Sequence, residues 1–86
     1  MAKFIEVISE MNNIYRKSLR EEQELKKRLG ELENTLLEWK ANSFEGILYN
    51  DYIRLQTEIE CVKGMLPILK EKNNALSEMR EVVLNA

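Results

Sequence analysis

Eighty-six residues with 13 basic and 15 acidic side chains, a net charge of −2 and 33% charged residues make at most one small domain (1–86) with a well-solvated surface. The near balance of signs argues against a protein that holds nucleic acid or an anionic membrane by bulk charge. With no histidine and Cys61 as the single cysteine, an internal disulfide and a Cys/His zinc site are excluded, and a reducing compartment is the natural expectation.

One proline and three glycines leave room for few turns, so the chain should consist of a small number of long elements. It contains no low-complexity tract, no Ser/Gly/Pro linker and no repeat of 20–50 residues. The opening stretch from Met1 to Glu10 is too short and too acidic for a signal peptide, and no run approaches the ~20 apolar residues of a membrane span. The expected location is the cytoplasm, with no membrane contact.

From Phe4 the apolar positions step by four and three through Ile8, Met11, Tyr15, Ser18, Glu22, Leu25, Leu29, Leu32, Leu36 and Trp39, with Ser18 and Glu22 as polar exceptions. That is a sustained heptad seam. It predicts a helix over 3–42, about 60 Å long at the standard rise. Gly30 lies beside Leu29 on the outer face and should cost about 1 kcal/mol relative to alanine without ending the helix. Glu22 with Lys26, and Glu24 with Arg28, stand four apart in the favourable orientation for ion pairs.

The reversal is predicted over 43–50. Asn42, Ser43 and Gly46 cluster after the first seam, and Gly46 can take a positive φ at no steric cost. Asn50 suits an N-cap, with Asp51 at the positive end of a new helix over 51–84. The second seam runs Tyr52, Leu55, Ile59, Val62, Leu66, Leu69, Asn73, Leu76, Arg80 and Val83. Pro67 lies inside it and should kink or break the helix; the heptad phase continues across it, which favours a kink.

Set antiparallel, the two seams pair Trp39 with Tyr52, Leu32 with Ile59, Leu25 with Leu66, Ser18 with Asn73 and Ile8 with Val83, the two numbers adding to 91 in each pair. The midpoint of that register falls between Glu45 and Gly46, where turn chemistry independently puts the reversal. Stacking Ser18 on Asn73 places two polar defects in one layer, a device that fixes register at some cost in stability. The expected fold is all-α, a long antiparallel coiled-coil hairpin.

Little in the sequence carries chemistry. There is no histidine, no glycine-rich phosphate loop and no nucleophile elbow, and Glu58 and Glu60 point to different sides of a helix. Catalytic, cofactor and metal residues are therefore expected to be none. Cys61 lies outside the seam without a surrounding cation cluster and reads as a tolerated small residue. Arg16, Lys17, Arg20 and Lys27 admit two readings, a phosphate-binding stripe or a solvated helix face, and Glu24 and Glu31 interrupt the stripe. Trp39, Phe44, Tyr49 and Tyr52 gather near the turn, either as a contact patch for a partner or as a plug closing the hairpin end.

The open end is the most informative. Ile5, Val7, Ile14 and Leu19 widen the apolar face of the first helix, and Met65, Met79, Val82 and Leu84 that of the second. Two helices cannot hide a face that wide, so a partner is expected, a second copy being the simplest. Phe4, Ile5, Ile8, Met11, Ile14, Tyr15, Met79, Val82 and Val83 are the self-association candidates, giving a dimeric four-helix bundle. The expected function is a non-enzymatic protein–protein interaction module: an adaptor, an assembly element or a small inhibitor of a larger protein. A nucleic-acid-binding accessory protein, and a small-ligand or nucleotide binder with a pocket between hairpins, are the alternatives.

Overall fold

The structure, a computed structural model, describes residues 2–85. Helix α1 (Ala2–Ala41) and helix α2 (Tyr49–Asn85) are joined by residues 42–48 and fold back on each other as an extended hairpin of 64 × 18 × 17 Å. The 40 residues of α1 account for the long dimension at 1.5 Å per residue. Neither Gly30 nor Pro67 ends its helix. Pro67 leaves the Lys63 carbonyl without its amide donor, and both residues are exposed, so water can take the missing partner's place.

At the turn, α1 ends one residue earlier than expected, at Ala41, and α2 begins two residues earlier, at Tyr49; the turn explains both differences. Helix α1 closes in a paired arrangement: the Phe44 amide donates to the Trp39 carbonyl at 2.7 Å and the Ser43 amide to the Lys40 carbonyl at 3.0 Å. This pattern requires a left-handed residue just past the helix, usually glycine. Here Ser43 takes it with φ 55°, followed by Phe44 at φ 57°. Gly46, at φ 77°, then forms the third position of a four-residue turn closed by the Ile47 amide on the Phe44 carbonyl. The Tyr52 amide donates to the Leu48 carbonyl at 3.1 Å, so Leu48 occupies the capping position. Asn50, expected to cap, lies within the first turn instead, while Asp51 keeps its favourable place at the positive end.

The core is a single short seam. Leu32, Leu55, Ile59 and Val62 are buried, with Leu25, Leu29, Leu36, Trp39 and Leu66 packed half-buried around them. Beyond this cluster, toward the termini, burial passes to polar groups: Ser18 and Asn73 are 2% and 4% exposed. The Asn73 Nδ2 donates to the Ser18 carbonyl at 3.4 Å across the hairpin, so the antiparallel register holds at this layer as the pairing predicts. Ser18 Oγ and Asn73 Oδ1 are buried without a partner. Such atoms cost about 1–3 kcal/mol each, so the layer opposes stability while admitting few alternative alignments.

Across the surface of the seam, Glu22 keeps its pair with Lys26 at 3.6 Å. The expected pair of Glu24 with Arg28 does not form. Arg28 reaches instead to the facing helix, donating to Glu58 at 2.6 Å, and lies 4.0 Å from Glu31. The Glu58 hydrogen bond, then the charge of Glu58, hold the Arg28 pKa above its usual value. The guanidinium is charged at any physiological pH regardless, and the contact ties the two helices together on the surface.

Two outcomes test this account. Ser43→Gly should relieve a left-handed strain of about 1 kcal/mol and raise the melting temperature by about 4–8 °C, whereas Gly46→Ala should lower it. Asn73→Leu should raise stability by about 1–3 kcal/mol because it removes an unsatisfied buried oxygen. Thermal and urea denaturation read both, and a fall in stability for Asn73→Leu would show that the layer is satisfied in solution.

Candidate interaction surfaces

With only one seam to share, each helix leaves its flanks to solvent, and those flanks differ in chemistry. The self-association candidates divide accordingly. Ile8, Met11, Tyr15 and Val83 lie half-buried on the seam, while Phe4, Ile5, Ile14, Met79 and Val82 are exposed, Ile5 at 66% and Val82 at 70%. The Arg80 guanidinium lies 5.9 Å from the Tyr15 ring centroid and covers part of the seam there.

One flank of α2 carries a second apolar stripe that the sequence reading only half recognised. Met65, Ile68, Ala75, Met79 and Val82 are exposed and recur by three, seven, four and three, one position before the main seam, with Lys72 completing the heptad between Ile68 and Ala75. Ile68 is 70% exposed. Near the hairpin's middle the stripe borders a groove of about 550 Å³, lined by Leu25, Met65, Ile68 and Leu69 and by the charged Glu21, Glu24, Arg28 and Lys72. The spacing was visible in the sequence; Ile68 and Ala75 were the positions overlooked.

The opposite flank is polar. A groove of about 380 Å³ there is lined by Leu29, Leu66 and Pro67 together with Lys26, Lys63, Lys70 and Glu22. Three lysines therefore converge that the sequence did not show as a group, because Lys63 and Lys70 lie a heptad apart on α2 and the hairpin register brings Lys26 level with Met65, between them. The basic residues proposed from sequence behave differently. Arg16, Lys17, Arg20 and Lys27 are all exposed; Arg16, Arg20 and Lys27 follow one helix line at steps of four and seven, Lys17 turns about 100° away, and none of the four lines these two grooves or the one at the turn.

At the turn the aromatic group splits. Trp39 packs against the core, and Phe44 meets Tyr52 edge-on with centroids 5.4 Å apart and planes at 86°. The Gln56 Nε2 donates to the Tyr52 hydroxyl oxygen at 3.0 Å. These three aromatics form a plug. Tyr49, at 75% exposure, and Leu48, at 69%, stand outside it along a groove of about 330 Å³ shared with Phe44, Ile47 and Tyr52. Cys61 is exposed on α2. No helix among the described residues is long and apolar enough to cross a membrane. None of their Cys, Asp or Glu side chains group in the threes or more that could hold a metal.

No protein family matches the chain, and neither a curated protein nor a solved structure matches it at a significant level.

The division of the aromatics is testable by substitution. Tyr52→Ala should cost about 1–3 kcal/mol through lost burial and the lost ring contact, while Tyr49→Ala should leave the melting temperature nearly unchanged. Equal losses for the two, by thermal denaturation, would place Tyr49 in the plug as well.

Proposed function

We propose that this chain is a protein–protein interaction module that assembles with itself into a helical bundle and acts by contact rather than by catalysis. One observation carries the reading: the hairpin leaves an unusual amount of surface in water, with large apolar side chains exposed at its open end and along α2. The solvent-accessible surface is 6953 Å², where a compact monomer of 10.2 kDa would show about 5,300 Å². The radius of gyration is 19.1 Å, against about 12 Å for a compact domain of this length.

Exposed apolar side chains contribute to that surface. Phe4, Ile5, Val7, Ile14, Met79 and Val82 are each about half exposed or more, and burying a side chain of this size stabilises by about 1.5–3 kcal/mol. Four buried apolar residues are a thin core for 86 residues. A second hairpin placed over the open end would supply the missing interior, and small domains commonly reach stability in this way. Charged residues dominate the outer face of the middle of α1, so that face should stay in solvent and Lys27 should lie outside the contact.

Light scattering at micromolar concentration tests the proposal. Ile8→Asp combined with Val83→Asp should give monomers or unfolded chain, and Lys27→Asp should assemble as the wild type does. A wild-type mass near 10 kDa with full helical content ends the reading.

A further inference from the structure

We infer that the surface joining two copies is the second stripe of α2, packed against the same stripe of a second chain running in the opposite direction. The inference rests on the self-association reading above and deepens it by naming face, direction and register.

The stripe is complementary to itself in one antiparallel alignment. Pairing Met65 with the partner's Val82 brings Ile68 against the partner's Met79 and Lys72 against the partner's Ala75, the two numbers adding to 147 in every pair. Large apolar side chains then meet large ones, and the single charge in the stripe meets its smallest residue. Ala75 leaves room for the lysine stem, whose ammonium lies beside the partner's Glu71 and Glu78 on the neighbouring line of the same helix. A parallel arrangement would instead stack Lys72 on its own copy.

The groove of about 550 Å³ beside Met65 and Ile68 acquires an occupant in this alignment, because the partner's Met79 and Val82 fall level with it. The four large apolar side chains of the stripe have surface to lose in this contact: Met65, Ile68, Met79 and Val82 are 52%, 70%, 57% and 70% exposed.

The two-fold axis of this alignment passes between Asn73 and Asn74. Asn73 is the residue that, with Ser18, forms the buried polar layer inside each hairpin. The polar layers of both copies therefore coincide at the middle of the bundle, although one register was fixed by the hairpin seam and the other by the exposed stripe. The opposite flank, with Lys26, Lys63 and Lys70 around its groove, has no comparable self-complementarity and would face solvent.

The experiment uses full-length chains with Cys61→Ser. One chain carries Ile68→Cys and the other Met79→Cys, distinguished by a mass tag, and the two are mixed and oxidised. The mixed disulfide should exceed the disulfide of either variant alone at least tenfold. Strong crosslinking of Met79→Cys with itself would mean a parallel dimer and overturn the alignment. A dimeric mass with no crosslink of either kind would place the contact on another face, overturning this inference while self-association stands. A helical monomer would overturn both. As a separate measure, Ile68→Asp, at a position already exposed in the hairpin, should keep full helical content and weaken dimerisation at least tenfold. Unchanged dimerisation in that variant would remove the stripe from the interface.

Discussion

The packing of Leu32 against Leu55, Ile59 and Val62 is the one place among the described residues where apolar side chains are withdrawn almost fully from water. Everything else in the hairpin depends on that contact. Two helices in line share a single seam whose width is set by one or two side chains, so added length adds layers and never depth. A longer hairpin of this kind remains as exposed per residue as a short one. This is the physical reason that a chain with ample apolar content ends up with so small an interior.

Specificity in such a seam is harder to obtain than affinity, since a heptad pattern can slide by seven residues and meet leucines again. Two features work against slippage. A seven-residue slip would set Asn73 against Leu25 or Met11 and separate it from Ser18, and the Arg28–Glu58 bond spans the helices on the surface. The buried layer discriminates more strongly, because an exposed ion pair is screened by solvent and salt. The cost is two unpartnered buried oxygens, which is a plausible arrangement only where alignment matters more than stability.

Much of this was legible in the residues. The three-four spacing of leucines along both segments identified the helices, and the register followed from their agreement with Gly46. The polar layer followed in turn, because Ser18 and Asn73 occupy matched positions. The turn was read less well. Capping preferences are worth only about 1 kcal/mol, and the edge-on contact of Phe44 with Tyr52 ties the turn to the new helix, which starts at Tyr49 and includes Asn50. Nothing in Ser43 or Phe44 announces a left-handed backbone, since glycine or asparagine is the usual occupant. The lysines around Pro67 were missed for a different reason: they come from both helices and meet only once the register is imposed. Met65 and Met79 were legible as widening the apolar face of α2, whereas Ile68, one position off the stronger seam, was not.

The turn also sets the order of events in folding. Closing Trp39 on Tyr52 brackets only the turn and the ends of the two helices, and each further layer outward adds a few residues to a structure already begun. Loop-closure entropy therefore favours growth from the turn, as a zipper closes from its fixed end. The termini join last, and they are the part with the thinnest interior. Strain held at Ser43 and Phe44 acts at the beginning of this sequence and so bears on the rate of folding, while the apolar residues near Phe4 and Val83 act at its end and bear on how long the closed hairpin persists.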